Sequence, residues 1–255
     1  MIETISDYKE AVIKFKSELD EGRELLFRGQ SNYSWEIRSS LERHGIETIA
    51  CEKYYSLIDR YKPLINPLVE KRYERKLTES GYPFDFKEYE KGSWKLPEME
   101  YLAYLRHHGF PTPLIDLSMS CFIALFFACE DFYQETKIDG KVFLYSPPRV
   151  WIDGNNVPDL RRIGRYVEAG KRHFAQQSQY VIPTVYDSEW KFITFKNVIE
   201  SKNNDHMLHE IIISKDVKIK LIKELRDMNI NRYTMFLNED ELIKSFADEW
   251  ALERA

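Results

Sequence analysis

The sequence predicts an α+β domain, and three observations predict it. The apolar runs with strand character are short. They do not alternate regularly with helical runs, as a doubly wound parallel sheet requires. Their order is helix, strand, helices, then strand–helix–strand, then late strands and two closing helices. Chain length, 255 residues with 43 % hydrophobic, is enough for one large domain or two small ones. Aromatics make up 14 %, so ring surface supplies much of the buried area.

Tyr8, Ala11, Val12, Phe15 and Leu19 fall at helical spacing, with Ser6 or Asp7 as cap and Gly22 as stop. Leu25-Leu26-Phe27-Arg28-Gly29-Gln30 follows, a buried strand that turns polar at its end. Gly29 lets the backbone twist or a ligand come close. Arg28 then stands at a strand end, where ligand crevices open, and offers a rigid fork of donors to phosphate or carboxylate. The plainer reading pairs it with an acidic neighbour. Gln30 to Trp35 is a polar loop carrying two rings. Residues 48–68 read as helix, kinked or ended by Pro63 and Pro67. Residues 71–95 are strongly charged and read as an exposed insertion or flap.

Pro97-Glu98-Met99-Glu100 opens a helix through Leu105 that Gly109 stops and Pro111 forbids beyond. Leu114-Ile115-Asp116-Leu117-Ser118 is a short strand interrupted by Asp116, which either caps the next helix or holds Arg28. Ser120 caps an apolar helix from Cys121 to about Phe132. Gly140 to Tyr145 is a strand, 153–165 loop-like, 168–179 polar, and Tyr180 to Pro183 a strand end. Lys191 to Phe195 reads as edge strand or helix start. Met207 to Ile213 is a β-branched strand, followed by a helix at 216–228. Met235 to Leu237 reads as short and extended. A last helix from Glu239 to about Ala251 is expected to bury Leu242, Ile243, Phe246 and Trp250.

Charge excludes some function classes. Basic residues number 37 against 42 acidic, a net charge of −5, which argues against a broad phosphate-backbone interface but leaves room for a local basic groove. Cys51, Cys121 and Cys129 have no C-x-x-C spacing, so neither a disulfide frame nor a zinc site is expected, and a reducing cytoplasm suits them. No basic flank with an apolar run marks a signal peptide, and no apolar run is long enough for a bilayer. No P-loop, G-x-G-x-x-G, G-x-S-x-G or H-E-x-x-H is present. The His107-His108 pair reads as general base, metal ligand or helix C-cap. With no third ligand at clear spacing, no metal is expected.

Phe27-Arg28-Gly29-Gln30, then His107-His108-Gly109-Phe110-Pro111-Thr112-Pro113-Leu114-Ile115-Asp116-Leu117-Ser118, then Ala124-Leu125-Phe126-Phe127-Ala128 together resemble the FRG-domain family. The family's second motif has glutamine, tyrosine, arginine and tryptophan where this chain has Arg106, His108, Pro113 and Leu117. Its tail is matched in outline by Glu224-Leu225 with Ile230, Phe236-Leu237 and Asp240-Glu241-Leu242. The resemblance extends from about Leu25 to Phe246 and implies a single FRG domain over 1–255, core about 20–246. Members occur widely in bacteria, in settings that suggest phage defence or toxicity.

The motif layout is similar to that of arginine–serine–glutamate mono-ADP-ribosyltransferases. That similarity implies a split mixed or antiparallel sheet, NAD as substrate, and transfer of ADP-ribose to an unidentified protein or nucleic-acid acceptor. Arg28, Ser118 and Glu210 then take the catalytic roles. Arg28, Gln30, Tyr33, His107, Asp116 and Ser118 bind the dinucleotide, with Tyr33, Trp35 or Tyr180 stacking on nicotinamide. Glu210 stabilises the oxocarbenium-like state; one such preorganised group supplies roughly 2.7–4 kcal/mol. Asp116 stands where the pattern has serine. Leu208 stands where a second glutamate selects the target side chain. The alternatives are an NAD glycohydrolase and a non-enzymatic nucleotide- or RNA-binding sensor that uses Arg28, Arg106 and His107 for phosphate. All readings place the protein in the cytoplasm and off the membrane. The shared geometric requirement of the transferase reading is that Arg28, Ser118 and Glu210 line one pocket.

Overall fold

The computed structural model describes residues 2–75, 96–132, 138–148, 157–163, 170–201 and 207–254. Helix α1 (Ile5–Glu18) starts earlier than expected. Thr4, not Ser6 or Asp7, is its cap: Thr4 Oγ1 accepts from the Asp7 N–H, and the Asp7 carboxylate accepts from the Thr4 N–H. Strand β1 (Leu26–Gln30) follows, then α2 (Ser40–Arg43), closed by a second capping box between Ser39 and Glu42. The expected helix over 48–68 is broken into β2 (Ile49–Ala50), α3 (Cys51–Asp59), α4 (Lys62–Ile65) and a 3-10 turn (Asn66–Leu68), with Pro63 and Pro67 opening the last two. Most of the charged stretch at 71–95 lies outside the described residues.

Helix α5 (Met99–His107) ends where expected, with Gly109 at φ +82° just past its cap. Strand β3 (Ile115–Ser118) leads into α6 (Cys121–Cys129), capped by Ser120. Then come β4 (Gly140–Ser146) and β5 (Asp159–Ile163). Strand β5 corrects the loop expected there. Its charged residues mask a strand that pairs along its whole length with β6 and buries Leu160. Helix α7 (Lys171–Ala175), β6 (Ser178–Asp187), β7 (Glu189–Phe192) and α8 (Phe195–Ile199) follow. Both readings of 191–195 hold in part: a strand ends at Phe192 and a helix begins at Phe195.

Strand β8 (Met207–Ile213) and a 3-10 turn (Lys215–Val217) precede α9 (Lys218–Asp227), α10 (Arg232–Phe236) and α11 (Glu239–Glu253). Helix α10 replaces the extended segment expected at 235–237, because Asn231 and Thr234 cap it reciprocally. In α11 the expected burial is also corrected. Ile243, Phe246 and Trp250 are exposed, while Ser245 and Leu252 are buried. The helix turns its acidic side inward, where Glu241 and Asp248 take Arg232.

Among the described residues, eight strands form one sheet in the order β2-β7-β6-β3-β1-β4-β8, with β5 also on β6, and all described pairs are antiparallel. Side chains alternate across it. Phe27, Val142, Leu144 and Ile211 face a core with α1, α6 and α9, while Leu26, Phe143, Tyr145 and Leu117 face a second core with Phe195 and Val198 of α8. A third core joins α3 and α5 to Tyr180, Ile182 and Phe192.

Helix α6 lies unusually close to the sheet, and two glycines permit it. A Cβ on Gly29 would stand 1.7 Å from the Ala124 carbonyl oxygen; one on Gly140 would stand 2.1 Å from that of Ala128. Gly29 therefore serves helix–sheet packing. Among the described residues, no helix is long and apolar enough to cross a membrane.

Candidate functional site

The sheet opens beside β1. Strands β1 and β3 share one register position, Phe27 opposite Ser118, and beyond it no further pairing joins them. Strand β1 instead pairs over its whole length with β4. A cleft of 780 Å³ lies there, lined by Arg28, Gly29 and Gln30 on one side and Asp116, Leu117 and Ser118 on the other. The loop after β1 contributes Trp35, Glu36 and Arg38, and α2 contributes Arg43. Helix α5 gives Arg106 and His107. Glu130 closes the end of α6, and Arg172, Gln176 and Ser178 come from α7 and the start of β6. Volumes of this order hold small ligands and cofactors.

Five arginines meet three carboxyls in this cleft, on a chain that is acidic as a whole. Arg38 is matched by Glu36 at 2.9 Å. Asp116 accepts from Arg106 through Nε at 3.0 Å and Nη2 at 2.5 Å, and stands 4.0 Å from Arg28 Nη1. So Asp116 holds chiefly Arg106, and Ser120 caps α6 in its place. Arg28 donates from Nη1 to the Asp116 backbone carbonyl at 2.6 Å. Its Nε is buried without a partner, as is that of Arg172. Burial pulls the Arg28 guanidinium down to about 10; Asp116 opposes this, and the repulsion of Arg106 and Arg43 adds to it. Arg172 is lowered by burial too, with its guanidinium over the Phe236 ring at 4.4 Å. Arg232 outside the cleft is the contrast: flanked by Asp248 and Glu241, its pKa is raised despite burial. Arg28, Arg43 and Arg172 are short of negative charge, and Arg38 and Arg232 are not.

The other expected residues divide. Gln30 lines the cleft. Its Nε2 donates to the Glu36 carbonyl at 3.2 Å, and its Oε1 is buried without a partner. Ser118 lines it too, but its hydroxyl donates to the Gln176 carbonyl at 2.8 Å and accepts from the Ser120 N–H, so it organises the turn into α6. His107 lines it with Nε2 3.1 Å from the Tyr180 hydroxyl, and burial takes its pKa down to about 4, leaving a neutral imidazole at pH 7. Tyr180 is buried between His107 and His173 and has no free face for stacking. Tyr33 is exposed and does not line the cleft; Trp35, also exposed, does.

Glu210 does not join Arg28 and Ser118. It lies on β8, beyond β4, with Phe143 directly between it and Arg28 in register. Two strand spacings put its backbone roughly 10 Å from that of Arg28, on the side away from the cleft. Its side chain, 46 % exposed, pairs with Lys141 at 3.1 Å. The expected three-way convergence is therefore corrected: two of its members meet and the carboxylate is turned elsewhere. Glu210→Gln is expected to lower unfolding free energy by about 1–2 kcal/mol, since the carboxylate is half exposed but its partner Lys141 is only 9 % exposed. It should leave binding in the cleft unchanged, by chemical denaturation and calorimetric titration. Arg43, Arg172, Glu130 and Gln176 are cleft residues that sequence reasoning passed over. Only Glu130 carries a signal, as the first charge after an apolar helix.

Fold and cleft together define a helix-covered antiparallel-sheet domain with a cationic crevice at a parting of its strands. Residues 23–137 match the family model described as FRG domain. That segment holds every arginine of the cleft except Arg172. Comparison with curated proteins and with solved structures gave no match.

Proposed function

We propose that this FRG domain binds a phosphate-bearing nucleotide in the cleft between β1 and β3, with its phosphates against Arg28, Arg43 and Arg106. NAD is the nucleotide to which the transferase resemblance points. The observation that carries the reading is the shortage of negative charge around the cleft arginines. Guanidiniums crowded at partial burial, Arg28 with its Nε unpartnered, are stabilised by an added anion and present the fork that matches phosphate oxygens. Gln30 Oε1, also unpartnered, can accept from a ligand hydroxyl. Support stops at binding. Glu210 stands on the wrong side of β4 to act on a ligand in the cleft, so nothing in the geometry favours ADP-ribosyl transfer through that residue.

The test is calorimetric titration of the wild type, Arg28→Met and Arg106→Met with NAD, and with a short single-stranded RNA at two salt concentrations. NAD binding is expected, weakened about 10- to 100-fold by either substitution, as loss of a charged hydrogen bond implies. NAD affinity unaffected by both substitutions would overturn the reading. RNA binding that falls steeply with salt, without NAD binding, would move the site to nucleic acid. Trp35 and Arg38 at the cleft mouth are the groups such a strand would meet.

A further inference from the structure

Glu130 is a cleft carboxyl with no partner among the described residues. It caps the C-terminal end of α6 and lines the cleft with Phe127, Arg172 and Gln176. Two cations are near, and neither pairs with its carboxyl. Arg232 of α10 donates to Asp248, to Glu241 and to the backbone carbonyl of Glu130, not to its carboxyl. Arg172 of α7 lies over the Phe236 ring. Among the described residues, no hydrogen bond or ion pair ends on the Glu130 side chain. The remaining charges facing it are acidic, Asp131 beside it and Glu241 of α11. A helix C-terminus also disfavours a carboxylate.

We propose that Glu130 is a proton-accepting contact of the cleft: an anionic ligand held by Arg172 meets Glu130 as a neutral carboxylic acid, which donates its O–H to a ligand oxygen, so that binding takes up a proton. This rests on the reading of the cleft as an anion site and adds a chemical requirement to it. The ligand must present an acceptor oxygen at the Arg172 end, next to its negative charge. Burial, opposed by Arg232 and Arg172 and reinforced by Asp131 and Glu241, raises the carboxyl of Glu130 to about 7. A nearby phosphate pushes it higher still. The free group is then mostly ionised at pH 8 and mostly protonated at pH 6, and the bound group is protonated at both. His107 is held down to about 4 by burial and stays neutral across this range, and burial lowers His173 as well.

NAD is a clean probe, because its phosphodiester groups do not titrate between pH 6 and 8. Titrating the full chain with NAD in two buffers of different ionisation enthalpy reads the proton count directly. At pH 8 the wild type is expected to take up roughly half a proton or more per ligand, and at pH 6 only about 0.1. Glu130→Gln, a neutral donor of the same shape, is expected to abolish the uptake and to bind NAD at pH 8 at least as tightly as wild type. Binding without proton uptake at pH 8, or uptake unchanged in Glu130→Gln, overturns this proposal alone. A wild type that binds neither NAD nor short single-stranded RNA overturns the anion-site reading, and this proposal with it.

Discussion

Gly29→Ala is expected to lower the unfolding free energy by about 3 kcal/mol or more, at the upper end of overpacking penalties. The added methyl would lie 1.7 Å from the Ala124 carbonyl oxygen and 2.8 Å from the Ala128 nitrogen. Both are backbone atoms of α6, so no rotamer change on the helix relieves the clash. The helix has to lift from β1, and with it Phe126, Leu125 and Ala128 lose their contacts with the sheet core. Gly140 meets the same helix one turn later, so the lift cannot pivot cheaply about that end. Gly170, with open space around its Cβ direction, is the control: alanine there should change stability by less than about 0.5 kcal/mol. Urea unfolding of the two variants separates a packing role for Gly29 from mere backbone stiffening. The glycine of the Phe27-Arg28-Gly29 motif is then explained by helix docking, and the arginine beside it by the cleft.

Asp116→Asn is the second large effect. The carboxylate is the acceptor of Arg106 and the acid that acts most strongly on Arg28 and Arg172. Its burial would raise its pKa, but Arg106 and Arg28 outweigh that and hold it below the usual carboxylate range. Removing one partner of a buried pair costs about 3–5 kcal/mol. The Asp116 side chain is 33 % exposed to the cleft, so about 2–3 kcal/mol is expected here. The sign with pH follows. A carboxyl lowered in the folded state contributes stability above its unfolded value, about 3.9, and loses it as pH falls through the lower folded value. The stability gap between wild type and Asp116→Asn should therefore be full near pH 7 and shrink on acidification, by chemical denaturation at several pH values. A small anion such as sulfate should stabilise the variant more than the wild type, because it occupies the charge-depleted position.

Much of this architecture was legible in the chain. Strands β1, β3, β4 and β8 are apolar runs with clear ends, and Ser120 and Gly109 mark helix boundaries that hold. Strand β5 was hidden because Asp159, Arg161 and Arg162 give it a surface composition, although its backbone pairs fully with β6. The exposed apolar side of α11 ran against periodicity because ion pairs to Arg232 set its rotation. For the cleft, the polar interruptions of apolar strands were informative: Arg28, Gln30, Asp116 and Ser118 all line it. Glu210 shows the limit of that signal. A polar residue on a strand announces a face, but the sequence does not say which neighbour the strand takes. Strand β8 pairs beyond β4, so its carboxylate meets Lys141. Arg172 and Gln176 come from a short polar helix that reads like surface, and only the fold carries them to Arg106.

The most direct measurement is a structure of the protein with NAD bound. The expected result is a diphosphate between β1 and β3, within hydrogen-bond distance of Arg28 and Arg106, with Glu130 close to a ligand oxygen and Glu210 untouched. A dinucleotide seated beyond β4 against Glu210, or on the surface with the arginine cleft vacant, would contradict it.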